Sequence, residues 1–342
     1  MKKLFLLLFI TSILFFGVNK TSAQSHYHLL KKTVIGGEGG WDYLSIDVLH
    51  RHLFIAHATQ VEIYDLDKDI VTAHIPNTEG VHGIAIAGTE GHGFISCGKS
   101  NSVVMFDLNS LDTLKRIPVG KGPDAIIYDP ASQHIFVMNG KSEDISVLNS
   151  ATGELITTIK LSGAPEFAVS DRQGHVYVNL EDKSVVVKID SRKNRFLATW
   201  SLSPGEGPTG IAMDMYSKTL FIGCANEKLI TLNTKNGKVI DVVPIGKGVD
   251  AVVYDSAKGN VIVPGDGTAT LITAGSEDWV NASVAETIQT APRARTIALD
   301  PATHDIYFVT AEFGPAPAPT ADKPHPRPSI VPGTFTVLKF GL

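Results

Sequence analysis

The chain has 342 residues, 43% hydrophobic and 19% charged, enough apolar material for a sizeable core and a composition unlike that of a disordered protein. Its formal net charge of −5 becomes −8 once residues 1–23, which hold Lys2, Lys3 and Lys20 and no acid, are set aside. So acidic a chain lacks the basic footprint that a phosphate backbone demands, and nucleic acid is not an expected partner.

The first segment has the layout of a cleaved secretory signal. Lys2 and Lys3 precede an apolar run over 4–18, and Thr21-Ser22-Ala23 offers the small residues of a cleavage site. The run is short for a membrane helix, which needs roughly 20 residues. Residues 24–342 are therefore expected as one exported domain, periplasmic or secreted, with no membrane span after signal removal.

The rest of the chain repeats itself. Gly122-Pro123-Asp124-Ala125-Ile126-Ile127-Tyr128-Asp129 is the clearest copy of a unit that recurs at 163–171, 207–214, 248–255 and 293–300. Looser copies begin at Gly40 and Gly80, so that successive starts lie 40 to 45 residues apart, the period of a four-stranded propeller blade. Within the third unit, strands are expected at 125–128, 134–138, 144–148 and 154–161, divided by Asp, Pro, Ser and Gly turns. The seventh unit supplies three strands, at 296–299, 306–310 and 334–340, and its missing fourth is found at 28–36. The expectation is an all-β, seven-bladed β-propeller with four antiparallel strands per blade, its last blade closed by the N-terminal strand.

The residues Gly122-Pro123-Asp124-Ala125, the strand Phe136-Val137-Met138-Asn139 and the turns at Asp190 and Asn233 resemble the YVTN-type repeat. The whole of 28–342 is similar to the exported YncE-like propellers. That resemblance implies the fold and leaves the activity open, because propellers host binding modules and several classes of enzyme.

Registering the units places one residue from each at the channel mouth: Asp42, His82, Asp124, Glu166, Thr209, Asp250 and Arg295. Acids gathered in a partly desolvated channel must protonate, pair or recruit a cation. Asp124, Glu166 and Asp250 are the expected ligands of a divalent cation, Ca²⁺ or Mg²⁺ ahead of Cu²⁺ or Zn²⁺. A hydrated polar plug is the alternative. The ends of the second strands form another set, from which His57 and Cys97, together with His82 of the ring, offer a softer site for copper or zinc. Cys97 and Cys224 fall in blades 2 and 5, too far apart for a disulfide, and are expected as free thiols.

The turn of the seventh unit widens into a Pro-rich loop over 311–333. Loops of this length in compact domains are usually functional or disordered. It is expected to rise from the ring face as a lid presenting Glu312, Asp322, His325 or Arg327. Together these features point to a monomeric binding module for a small molecule or protein ligand. The alternative is a metal-dependent hydrolase or lyase on a lactone or sugar-like substrate, with His82 as general acid or base and Arg295 holding negative charge.

Overall fold

The computed structural model of the chain describes residues 26–275, 278–318 and 326–342. Seven four-stranded antiparallel sheets follow one another as blades, and the first strand of each packs on the first strand of its neighbours. Blade 3 runs Pro123–Asp129, His134–Asn139, Asp144–Asn149 and Leu155–Lys160, each within three residues of the expected bounds. Blade 7 takes Ile297–Leu299, Ile306–Thr310 and Thr336–Gly341 from the end of the chain and His28–Val34 from its start. The closing pair is antiparallel, from His28 opposite Gly341 to Val34 opposite Thr336.

Burial explains the reading of each strand. The second and third strands of a blade are sandwiched on both faces, so Leu53-Phe54-Ile55-Ala56 and Ile135-Phe136-Val137-Met138 are continuously apolar and buried. The outer strand has one face in solvent, and Leu155–Lys160 buries mainly Ile159. Apolar clusters fill the seven junctions between neighbouring blades. Phe94, Val103, Ile126 and Val137 bind blade 2 to blade 3, and Tyr64, Tyr307, Val309 and Phe335 bind blade 7 to blade 1.

The aspartates at the ends of six of the seven first strands serve the turns, as their spacing suggests. Asp47 Oδ1 accepts the Leu49 and His50 N–H groups at 3.0 and 3.3 Å, and Asp129 and Asp255 act alike. Helix is confined, among the described residues, to one 3-10 turn, Glu181–Lys183, in the connection between the second and third strands of blade 4. No helix among the described residues is long and apolar enough to cross a membrane. The expected export signal over 1–23 lies outside the described residues.

Candidate functional site at the channel mouth

The ring residues occupy a repeated irregularity of the ladder. In blades 1 to 5 the first strand pairs at its first residue, loses register, and resumes three positions on: Trp41/Leu44, Val81/Ile84, Pro123/Ile126, Pro165/Ala168 and Pro208/Ile211. Asp42, His82, Asp124, Glu166 and Thr209 fall in that gap. In blades 6 and 7 the pairing begins only at Val253 and Ile297, so Asp250 and Arg295 precede it. A residue in such a break is released from the ladder and can be re-aimed. Here the breaks in blades 1 to 3 accompany the meeting of Asp42, His82 and Asp124.

Contacts between blades sort the ring into groups. His82 Nδ1 lies 2.6 Å from Asp42 Oδ2 and 3.6 Å from Asp124 Oδ1. A ligating atom from each of these three lies within 4.8 Å of the others, the one such set of His, Cys, Asp and Glu among the described residues. They line a cavity of about 540 Å³ with Lys99 and Lys141 on its rim. Arg295 takes Asp250, at 3.1 Å, and the Tyr43 hydroxyl donates to Glu166 Oε1 at 3.3 Å. The triplet drawn together is thus Asp42, His82 and Asp124, where Asp124, Glu166 and Asp250 were the expected ligands. Thr209 turns away, its hydroxyl donating to the Val249 carbonyl at 3.0 Å.

Crowding of the acids is visible in their proton affinities. Burial, reinforced by Asp124, Asp250 and Glu181, pushes Glu166 up to about 8. Asp250 rises to about 7 through burial, which Arg295 only partly offsets, and through Asp42 and Asp124. Asp124 rises to about 6, again chiefly by burial, against the pull of His82. Burial works against the charged imidazole of His82, yet the Asp42 hydrogen bond and the neighbouring acids hold its pKa above the ordinary value. Burial and crowding thus favour bound protons on these acids, and the carboxylates beside His82 favour its charged form.

Two acids escaped the sequence reading. By pairing register, Ala58, Gly98, Gly140, Ala225 and Ala311 of five blades are equivalent to Glu181 in blade 4 and to Asp266, two residues past the second strand, in blade 6. Glu181 raises Asp124, Glu166 and Asp250 through its charge. Asp266 Oδ1 accepts the Arg293 N–H at 2.8 Å. The signal was present as an acid where the other units hold Gly or Ala.

The Pro-rich loop stands beside the ring. Its two described arms pair through Phe313 and Ile330, with Gly314 N donating to Ser329 O at 2.9 Å and Val331 N to Glu312 O at 2.8 Å. Trp41 sits between the loop and the blade, 6.1 Å from the Phe313 ring and stacked on Phe335 at 5.2 Å. Arg327 and Ile330 of the loop, with Trp41, Arg293 and Arg295, line a second cavity of about 350 Å³. Glu312 is exposed and engages the loop through its backbone, while Asp322 and His325 lie outside the described residues.

The softer metal set does not assemble. His57 turns its Nδ1 to Glu62 Oε1 at 3.0 Å and packs its ring on Phe335 at 4.1 Å. Cys97 is buried in the core between blades 1 and 2, where burial pushes its thiol up to about 11. Cys97 and Cys224 are both free, as the blade arithmetic requires.

The fold and the mouth define a seven-bladed β-propeller with a polar ring at one end of its channel. Residues 99–314 match the PQQ_2 family, described as outer membrane protein assembly factor BamB, and the chain belongs to that family. Among solved structures, it is similar to Kuenenia stuttgartiensis hydrazine synthase, with a TM-score of 0.71 and 15% sequence identity over 81% of this chain and 94% of that one. At that identity the likeness is one of fold. No curated protein matches the chain.

Proposed function

We propose that this protein is an exported binding module, YncE-like in design, that holds a small ligand at the ring face around a divalent cation set in Asp42, His82 and Asp124. The observation that carries the reading is the meeting of these three side chains, within 4.8 Å, in a cavity open at the channel mouth. Membership of a family described as an assembly factor supports binding over turnover. The imidazole shifts the favoured ion from the Ca²⁺ or Mg²⁺ expected of carboxylates alone toward Zn²⁺ or Cu²⁺. Asp42 and Asp124 would supply oxygens and His82 its Nδ1, given up by its proton. Export rests on the signal-like residues 1–23.

The hydrolase or lyase alternative would act through His82. Its Nδ1 faces Asp42 and Asp124, and its Nε2 points to Gly98 of its own blade, where a β-carbon would come within 2.8 Å. That Nε2 would be the nitrogen of a general base oriented by Asp42, and turnover of a lactone and ester panel, lost in His82→Gln, would favour this alternative.

The test is a metal titration of tag-free mature protein, followed by calorimetry and by thermal unfolding. Zn²⁺ or Cu²⁺ should bind once per chain and raise the midpoint, and Asp124→Asn should abolish both effects. Indifference of the unmodified protein to Zn²⁺, Cu²⁺, Ca²⁺ and Mg²⁺ would remove the cation from this reading.

A further inference from the structure

The cavity beneath the Pro-rich loop has a different chemistry from the ring beside it. Three guanidinium groups, from Arg293, Arg295 and Arg327, line about 350 Å³ of space together with the Trp41 ring and the Ile330 side chain. Arg295 is committed on one side to Asp250. Arg293 lays its guanidinium over the Phe313 ring at 4.7 Å and makes no ion pair among the described residues, and neither does Arg327. Asp266 also lines the cavity, but its Oδ1 is engaged by the backbone N–H of Arg293. A cluster of cations short of counter-ions, beside an indole face and an aliphatic surface, favours an anion with a flat or apolar body.

Arg293 stands at a position where blade 4 has Ala164 and four other blades have a glycine in the left-handed region. Its counterparts two residues before the ring residue are Gly80, Gly122, Gly207 and Gly248, with φ of 67°, 61°, 60° and 77°. Arg293 adopts the same left-handed conformation with φ 57°. A side chain in that region is disfavoured by its own β-carbon. Four other blades avoid the penalty, so the arginine is there for its side chain, and its side chain faces this cavity.

We propose that this cavity binds a small organic anion, a carboxylate or phosphate ester whose flat or apolar body lies along Trp41 and Ile330 while Arg293, Arg295 and Arg327 hold its charge. The proposal names the ligand class for the face already read as a binding face. It does not depend on the cation at Asp42, His82 and Asp124. Trp41 and Gly40 border both cavities, so a cation held at Asp42, His82 and Asp124 would lie next to the anion and offset its repulsion from the ring acids.

The test titrates mature protein, in chelator, with benzoate, citrate and glucose 6-phosphate, and with benzamide and glucose as their uncharged counterparts. Calorimetry and tryptophan fluorescence provide the readout. At least one anion should bind, its neutral counterpart should not, and affinity should fall as salt rises. Arg327→Gln, on the loop, should weaken binding by about tenfold, the loss of one charge-assisted contact. Arg293→Gly restores the residue that suits the backbone, so it should weaken anion binding by a similar factor while the thermal midpoint holds or rises. If all three anions bind no better than the neutral compounds, or if both variants bind as the parent does, the proposal is overturned. If Arg293→Gly lowers the midpoint and leaves anion binding intact, Arg293 is a structural brace and the proposal fails at its centre. A cation titration of the unmodified protein, run in parallel, separates this outcome from failure of the metal reading.

Discussion

His82 of blade 2 reaches back to blade 1 and places its Nδ1 2.6 Å from Asp42 Oδ2. The contact makes the imidazole hold its proton, because Asp42 and the 3.6 Å neighbour Asp124 both favour the charged ring. A cation entering the triplet must displace that proton. Uptake should therefore release more than one proton per ion at pH 6, from His82 and in part from Asp124, which rises to about 6, and fewer as pH rises. Calorimetry in buffers of different ionisation enthalpy measures the number directly. Asp42→Asn should lower the His82 pKa, so that proton release at pH 6 shrinks even where some affinity survives. Proton release that is absent at pH 6, or unchanged in Asp42→Asn, would separate ion binding from His82.

The same crowding sets the pH dependence of stability. Asp124, Asp250 and Glu166 rise to about 6, 7 and 8, whereas unfolded carboxyls titrate near 4. Between these limits the folded chain binds more protons than the unfolded one, so stability declines as pH rises from about 4 to about 8. His82, also raised, acts in the same direction from its ordinary value upward. Asp65, Asp107, Asp171, Asp214 and Asp300 are held below their ordinary range, and the stability they supply is complete above about pH 5. Between pH 5 and 9 the ring acts alongside His50, which its Asp47 hydrogen bond raises, and His52, which burial lowers and which therefore works in the opposite direction. In chelator, the thermal midpoint should fall across that range. Glu166→Gln, which mimics the protonated acid, should be nearly neutral at pH 4 and increasingly stabilising above it, by on the order of 4 kcal/mol at pH 9. A flat profile in the parent would contradict the crowding.

The blades, their number and the N-terminal closure were legible because the repeat is written in apolar runs and turns, and the closing strand resembles other outer strands. Ring membership was legible too, since registration alone brings Asp42, His82 and Asp124 to equivalent positions. Pairing within the ring was not. Whether Asp250 faces Arg295 or a metal depends on side-chain reach across a junction, which no repeat encodes. Glu181 was overlooked because the set drawn from the second strands stopped at their last residues, at Leu180 in blade 4, one position short of it. Arg293 was readable in principle, as an arginine where Gly80, Gly122, Gly207 and Gly248 stand in other units.

Both thiols should be silent in the folded protein. Cys97 and Cys224 are buried, and burial pushes them up to about 11 and about 12, so thiolate is scarce at neutral pH. Iodoacetamide at pH 8 without reductant should leave the native chain unmodified, and in denaturant it should add two labels. Mass spectrometry reads both results. Failure to label the denatured, unreduced chain would reveal a disulfide and break the assignment of these residues to blades 2 and 5.

Closure of the ring has its own electrostatic fastening. Arg51 of blade 1 reaches Asp300 of blade 7 with two bonds, Nη1 to Oδ1 at 2.8 Å and Nη2 to Oδ2 at 2.7 Å. Asp300 is fully buried, which opposes its charge, yet Arg51, the Ala302 N–H and the Thr303 hydroxyl together keep its carboxyl below the usual range. Arg51→Ala would leave that charge without its main partner, a loss of about 3–5 kcal/mol for a pair of this kind. Asp300→Asn removes the charge along with the bidentate contact, so the double variant should be much less destabilised than the two single losses added together. Urea unfolding of the two singles and the double gives the coupling. A cost below about 1 kcal/mol for Arg51→Ala, the range of exposed pairs, would mean that the apolar junction of Tyr64, Tyr307, Val309 and Phe335 closes the ring unaided.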